Sequence, residues 1–376
     1  MPWSSGALAG YCDFRKVLRC GMSVMMKYVP HARFLACLLA LAPSAAVQAQ
    51  GPALSPAEIV QAAPQRDWID IPASDLLVMT LAPDAEGKPR RVVIQLLPPP
   101  FSQGWVSNIR TLALARWYDG AVINRVQDNY VVQWGDPHAE DAARARAVPA
   151  TVRPVPRSDY EASLDAVADA MTRTIAADGL ADFSESLASE QKEAARIAEL
   201  AMAGSRTEKA PNGWHERDAF APWVEIREGW PLASDGEHMW PVHCYATVGV
   251  GRGMAPDTGT GAELYAVIGH APRHLDRNVA VVGRVIEGIE QLSTLPRGTG
   301  PLGFYEHEAQ QVPILSIRTG SDLPARERPS FQYLSTESES FARYVNTRAN
   351  RSDPFFEVPA GGADVCSMPV PTRRKP

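Results

Sequence analysis

Arg125 is the one basic side chain in an apolar, strand-like run, and Tyr130 and Gln133 follow it closely. A guanidinium is always charged and carries five N–H donors in a rigid plane, so the chemistry open to Arg125 is charged hydrogen-bond donation. The aromatic ring and the amide could line a binding pocket beside it. A structural alternative also exists, because Asp119 or Glu263 could form an ordinary ion pair with this arginine.

Motifs for other chemistries are incomplete. The glycine-rich residues 249–261 lack the Gly-Lys-Ser/Thr ending of a phosphate-binding loop, and a strand-like run follows them where a helix would be needed. His270 and His274 lie four residues apart, but a proline-containing segment holds them and the chain has no HExxH or GxSxG sequence. The sequence therefore gives no specific signal for a hydrolase or a metalloenzyme, and we expect no cofactor.

Residues 1–49 have the pattern of a secretory leader. Basic residues precede a short apolar run at residues 34–42, and small side chains at Val47 and Ala49 fit a signal-peptidase site. The apolar run is too short to span a bilayer, and nothing later in the chain resembles a transmembrane segment. We therefore expect a periplasmic protein that does not insert into the membrane after its signal is cleaved.

Charge and cysteine usage bear on partners and compartment. The 376-residue chain has 37 basic and 43 acidic residues, of which 32 and 42 remain without the leader. An acidic protein without a basic cluster is a poor partner for nucleic acid or anionic membranes. Of five cysteines, only Cys244 and Cys366 follow the leader, and they could form a disulfide in an oxidising compartment or remain isolated thiols. We expect the disulfide.

The elements that must position Arg125 are mostly strands. β-Rich runs predict a hairpin at residues 76–81 and 91–97, and three prolines end its second strand. Apolar residues at helical spacing then predict a helix before Gly120, and Arg125 lies in the strand that follows. Further strands are predicted at residues 242–250, 263–268, 278–285 and 312–320, with a short helix at 286–295. This order favours a closed antiparallel barrel with helices over its ends.

The composition changes between residues 138 and 230. A proline-rich stretch at residues 148–157 reads as a linker, and a capping-box pattern begins at Ser158. Apolar residues at helical spacing follow, and a second helix is predicted over residues 187–203. These helices contain no histidine or cysteine, so we interpret the segment as an inserted helical hairpin whose apolar faces are buried.

Two stretches resemble the signatures of cyclophilin-type peptidyl-prolyl isomerases. Residues 117–137 have a Tyr-Asp-Gly turn, a strand with an arginine, and then an aromatic, an aliphatic and a glutamine residue. Residues 258–292 have a glycine-rich loop, a strand with an aromatic residue, a loop with Leu-Asp and a strand ending in Gly-Arg-Val. The resemblance covers about residues 76–136 and 242–320. It implies a mainly β, cyclophilin-like closed antiparallel barrel of about eight strands, capped by helices.

The resemblance also implies domains and site residues. A cyclophilin-like domain over residues 66–320 would be interrupted by the helical insertion at 138–230 and followed by an extension at 321–376. Arg125 matches the family's catalytic arginine, and Gln133 matches a glutamine that assists it. The positions that match the substrate pocket are Tyr130, Val131, Tyr265, His274 and Leu275. The positions that depart from the family pattern are Asn124, Trp134, Glu263 and Val279.

The activity that this resemblance implies is cis/trans isomerisation of X–Pro bonds in unfolded or exported polypeptides. Such a reaction needs only a charged donor and an apolar pocket for the proline ring. The alternative is a non-catalytic, chaperone-like module that binds proline-containing segments, since several pocket positions are altered. Glu263, which departs from the family pattern, is expected to form a structural ion pair with Arg125.

Overall fold

The computed structural model describes residues 53–170 and 218–376. Within these residues the strands are β1 (Trp68–Ile71), β2 (Leu76–Leu81), β3 (Arg90–Leu96), β4 (Val122–Val126), β5 (Val131–Gly135), β6 (Ala162–Ser163), β7 (Trp223–Arg227), β8 (Trp230–Ser234), β9 (His238–Pro241), β10 (Thr247–Val250), β11 (Leu264–Val267), β12 (Val281–Glu287), β13 (Val312–Thr319), β14 (Phe331–Leu334) and β15 (Thr372–Arg374). The helices are α1 (Pro56–Ala62), α2 (Gln103–Leu114), α3 (Glu290–Ser293) and α4 (Glu339–Ala349), and residues 164–170 are also helical. The predicted leader at residues 1–49 and the predicted helix at 187–203 lie outside the described residues.

Eight strands close into an antiparallel barrel in the neighbour order β10, β11, β5, β4, β13, β2, β3, β12. One apolar core fills this barrel, and helix α2 packs against it. Trp105, Ile109 and Leu112 are fully buried there because their spacing places them on one face of the helix. The predicted mainly β fold, a closed barrel of eight strands with helices packed on it, is confirmed.

A β-bulge explains how an apolar strand presents a charged side chain outward. In the hairpin of β4 and β5, Ile123 faces Trp134 but Arg125 faces Gln133, so Asn124 is an extra residue in β4. The extra residue shifts the inside–outside alternation by one position. Ile123 is therefore buried inside the barrel, while Arg125 lies on its outer surface.

The proline-rich stretch at residues 148–157 is not a linker, and that expectation was wrong. Val155 is buried against α2, where a Cβ at Gly104 would lie only 2.7 Å from its side chain. The side-chain amide of Asn108 donates to the carbonyl of Arg153 at 2.7 Å and accepts from its N–H at 3.0 Å. The ring of Tyr160 stacks on that of Trp105 with centroids 5.1 Å apart. The stretch is therefore part of the barrel's packing.

The rest of the segment at residues 138–230 also differs from a purely helical insertion. The pattern at Ser158 does not cap a helix, because a 3₁₀ turn and strand β6 come first, and the helical residues begin at 164. Ser163 caps them instead, since its Oγ accepts from the N–H of Ala166 at 3.2 Å. Strands β6, β9, β8 and β7 form a separate four-stranded sheet. The strand predicted at residues 242–250 is shorter in the structure, where only β10 is extended within that range.

The carboxyl-terminal strands β14 and β15 join β1 in a third sheet, of three strands, that the sequence did not predict. Strand β14 pairs with both β1 and β15, and helix α4 packs with α1 in a second apolar cluster. Cys244 and Cys366 form a disulfide with an S–S distance of 2.01 Å, which links this part of the chain to the loop before β10. In the part of the chain that the structure describes, no helix has the length and apolarity needed to cross a membrane.

Candidate active site

Arg125 is held in place by three hydrogen bonds to neutral acceptors. Its Nε donates to the carbonyl of Leu302 at 2.7 Å, its Nη1 donates to Oε1 of Gln133 at 2.8 Å, and its Nη2 donates to Oε1 of Gln127. A guanidinium has five N–H groups, so two of them have no acceptor among the described residues. A fixed, charged donor with unused N–H groups is suited to binding a further acceptor.

Two aromatic rings flank the guanidinium. The Arg125 Cζ lies 5.7 Å from the ring centroid of Tyr130 and 5.3 Å from that of Phe304. Both distances fall within the range of cation–π attraction, which restrains the plane of the guanidinium further. Phe304 also makes an isolated β-bridge with Arg125, and therefore the segment after α3 forms one wall of the site.

The two ion pairs considered for Arg125 are not formed. Asp119 instead accepts two hydrogen bonds from Arg318, each of 2.7 Å. The carboxylate of Glu263 accepts from the side-chain amide of Gln133, so the expectation that Glu263 pairs directly with Arg125 was wrong. Gln133 stands between them, and its oxygen faces the arginine while its nitrogen faces the acid.

Burial changes the proton affinity of both charged groups. It lowers the pKa of Arg125, and the nearby Tyr130 and Glu263 partly oppose that effect. Burial also raises the pKa of Glu263, with a further contribution from Glu140, against an opposing one from Arg125. Gly251 makes room for the acid, since a Cβ there would lie 2.7 Å from Cγ of Glu263.

The outer face of four neighbouring strands aligns the site. Arg125 on β4 faces Gln133 on β5, Gln133 faces Tyr265 on β11, and Tyr265 faces Gly249 on β10. Directly opposed residues on one face have Cβ atoms about 4.5–5.5 Å apart. Strand register alone therefore brings together residues that are far apart in the sequence.

An apolar cluster lies next to this row of residues. It includes every apolar position that the resemblance assigns to the substrate pocket. Its buried members are Val131, Tyr265 and Val267, and its partly buried members are Tyr130, Leu275 and Val279. The ring of His274 stacks on that of Tyr130, with centroids 6.3 Å apart and 12° between the planes. The structure thus gathers all the predicted site residues on one surface, and their roles in binding stay predictions.

Sequence reasoning missed several residues of this surface. Leu302 and Phe304 come from a loop with no recognisable signal, since Leu302 lies 177 residues after Arg125. His243 was also missed, although it is fully buried and hydrogen-bonded to Tyr265 and Asp276. Of the departures from the family pattern, Trp134 is fully buried inside the barrel and so does not reach the site.

Comparisons with known proteins give a family and a fold. Residues 104–319 match the family described as cyclophilin type peptidyl-prolyl cis-trans isomerase/CLD. None of the curated proteins matches the chain.

Among solved structures, a cyclophilin from Hirschia baltica is similar, with a TM-score of 0.52 and 18% sequence identity. The match covers 81% of this chain and 92% of the Hirschia baltica chain. A cyclophilin type peptidyl-prolyl cis-trans isomerase from Cryptosporidium parvum, solved in the presence of the dipeptide Ala-Pro, is also matched. Its TM-score is 0.31 at 9% identity, covering 65% of this chain and 97% of its own.

Proposed function

The chain belongs to the cyclophilin-type peptidyl-prolyl cis-trans isomerase family, and from this membership we propose that it isomerises X–Pro bonds in exported polypeptides with Arg125 as the charged donor. The proposal rests on how Arg125 is bonded and on what lies beside it. Three neutral acceptors fix it, no described carboxylate pairs with it, and the apolar cluster around Val131 and Tyr265 lies beside it.

The reaction sets a clear requirement for the site. Rotation about the X–Pro bond breaks no covalent bond, and its barrier of about 18–20 kcal/mol is lost amide resonance. The two planar forms differ by only about 0.5–1 kcal/mol. A catalyst must therefore stabilise the twisted amide more than either planar form.

Arg125 meets that requirement by hydrogen bonding. As the amide twists, the proline nitrogen regains a localised lone pair, which one of the unused N–H groups of Arg125 can meet. The second unused N–H can hold a neighbouring carbonyl of the peptide. No reorganisation is needed at that moment, because the bonds to Leu302, Gln133 and Gln127 already orient the guanidinium.

The apolar cluster would grip the proline ring. Leu275 and Tyr130 are only partly buried and so have apolar surface left to contact the ring, while Val131 and Tyr265 are buried members of the same cluster. Tyr130 closes the side nearest to Arg125. Gln133 orients Arg125 through its side-chain oxygen, and its amide nitrogen donates one N–H to Glu263. The second N–H of that amide can hydrogen-bond the substrate backbone.

A non-catalytic module that binds proline-containing segments is the second candidate. The observation that favours it is the make-up of the pocket, where Val279 contributes only a small aliphatic side chain. A protease-coupled assay on a proline tetrapeptide separates the two functions. The isomerase proposal predicts a rate above the uncatalysed background that is proportional to protein concentration. Binding of the peptide without any acceleration would support the second candidate instead.

A further inference from the structure

A buried chain of hydrogen bonds runs behind the apolar cluster. His243 is 0% exposed, and its Nδ1 lies 2.9 Å from Oδ1 of Asp276. Its Nε2 lies 2.7 Å from the hydroxyl of Tyr265. The two rings are nearly parallel, with 11° between their planes. Tyr265, a buried member of the apolar cluster, is therefore tied through one histidine to an acid outside the barrel strands.

The partners of His243 decide which way each proton points. A carboxylate only accepts, so Nδ1 of His243 carries the proton that bonds to Asp276. In the neutral ring Nε2 is then an acceptor, and the Tyr265 hydroxyl donates to it. That hydroxyl is thus turned toward the buried histidine, and the tyrosine offers only its ring to the pocket.

The surroundings hold both ends of this chain firmly. The hydroxyl end of Tyr265 packs against Gly249, where a Cβ would fall 2.3 Å from its hydroxyl oxygen. Asp276 accepts a second bond from Nε of Arg273 at 2.6 Å, and it also accepts from the backbone N–H of His243 at 2.9 Å. The next residue, Cys244, is locked in the disulfide. His243 therefore has little freedom to move.

We infer that His243 is a positioning residue for substrate binding, which fixes the Tyr265 ring and keeps its hydroxyl out of the proline pocket. The inference rests on the proposed isomerase function. Its physical basis is that a buried hydroxyl without a partner is costly and would turn toward whatever acceptor or water it could reach. Without His243, that acceptor would lie on the pocket side, where it would compete with the apolar contact to proline.

The test is a set of variants at His243 and Tyr265. In His243→Leu we expect KM for an X–Pro peptide to rise by about tenfold, as expected when one buried hydroxyl loses its bond, with kcat nearly unchanged. His243→Gln should recover most of the affinity, because its side-chain oxygen can accept from the tyrosine. In the Tyr265→Phe background, His243→Leu should add little, since no hydroxyl is left without a partner.

The matched control is His238→Leu, a histidine on β9 whose side chain is 41% exposed. If His243 were merely structural, His243→Leu would lower Tm but would not raise KM while leaving kcat unchanged. The loss would also be the same with and without the Tyr265 hydroxyl. An unchanged KM in folded His243→Leu, or an equal loss in the Tyr265→Phe background, overturns the inference.

Failure of the proposed function gives a different result, because wild type itself would then show no acceleration. In that case a crystal structure of His243→Leu still tests whether His243 positions Tyr265. If His243→Leu does not fold, the structure of His243→Gln takes its place. We expect a displaced Tyr265 hydroxyl in His243→Leu and a retained one in His243→Gln. An unmoved hydroxyl in the leucine variant, or a displaced one in the glutamine variant, contradicts the inference.

Discussion

Arg125 combines an outward position on the barrel with a charge that no described carboxylate pairs with. The bulge at Asn124 shifts the inside–outside alternation of β4 so that Arg125 lies on the outer surface, and three neutral acceptors then fix its plane. A paired carboxylate would have offset its charge and occupied its donors. The link through Gln133 keeps Glu263 near without such pairing. The site therefore presents a charged donor that is oriented and still has hydrogen-bonding capacity.

The raised pKa of Glu263 predicts how stability depends on pH. The ordinary value is 4.5, and burial raises the pKa in the folded protein. At a pH below the ordinary value both folded and unfolded chains hold the proton, so burying this group costs little. As pH rises from there through the raised pKa, the folded chain comes to bury a charge and loses stability. Glu263→Gln should thus raise Tm at about pH 8 and leave it nearly unchanged near about pH 4.

Thermal melts of both proteins across this range measure the effect. Glu290→Gln is the matched control, because Glu290 is an exposed residue on α3. A difference in Tm between wild type and Glu263→Gln that stays constant with pH would show that burial of the charge is not its cause.

At the scale of single residues, the sequence predicted those parts of the site that lie on paired strands. Arg125 and Gln133 share a hairpin, and Tyr265 follows from its place in the second signature. Leu302, Phe304 and His243 could not be predicted, because their contacts depend on how distant loops return to the barrel. The prediction that Glu263 pairs directly with Arg125 was wrong for a related reason. Opposite charges suggest a pair, but only the two hydrogen bonds of Gln133 show that an amide lies between them.

At the scale of elements, the disulfide joins two parts of the chain that are 122 residues apart in sequence. Replacing Cys244 and Cys366 by serine should lower the free energy of unfolding by about 2–4 kcal/mol, mainly because the unfolded chain is no longer cross-linked. Urea unfolding of oxidised wild type and the double variant measures this loss. Thiol titration of denatured, non-reduced protein should find no free thiol, and two titratable thiols would refute the pairing in the mature protein.

The segment after β5 gives a second prediction at this scale. Replacing residues 150–210 with a short Gly/Ser linker would remove Val155 and Tyr160 from the barrel packing and leave Asn108 without its backbone partners. Loss of large buried side chains costs about 2–5 kcal/mol each, so we expect little soluble protein. A replacement confined to residues 175–210 is the matched control, since it keeps every contact that the structure describes.

Soluble yield and Tm of the two replacements are the measurements. Equal stability of both would mean that residues 150–163 contribute nothing to the barrel. The sequence misled here because proline-rich composition is typical of linkers, whereas these prolines lie in an extended run that packs on α2. Strand β15 was missed because it is only three residues long, which leaves too few positions for a periodic pattern.

At the scale of the whole molecule, we propose that the protein acts outside the cytoplasm. The leader pattern at residues 1–49 and the disulfide both point to an oxidising compartment. Mass spectrometry of the protein from its native host should show an amino terminus at or near Gln50 in the periplasmic fraction. A charge in the apolar run, as in Leu39→Arg, should retain the protein in the cytosol. An intact amino terminus on cytosolic wild-type protein would reject export.

Acceleration of prolyl isomerisation by Arg125 depends on the barrel strands, the loop at Leu302 and the apolar cluster together. Comparable charged or polar donors in transition-state sites contribute about 2.7–4 kcal/mol, or roughly 10²–10³ in rate. Arg125→Ala should therefore lower kcat/KM by that factor and leave a folded barrel, since Leu302 is exposed and Gln127 is partly exposed, so that these two acceptors can bond water. Arg125→Lys should recover little, because one ammonium cannot replace a planar fork held at three points.

The decisive measurement is the protease-coupled isomerisation rate of wild type, Arg125→Ala and Arg125→Lys on one X–Pro tetrapeptide, with Tm recorded for each protein. We predict clear acceleration by wild type, a loss of about 10²–10³ in folded Arg125→Ala, and a similar loss in Arg125→Lys. Wild-type activity that survives in folded Arg125→Ala, or unfolding of that variant, would contradict the role assigned to this arginine.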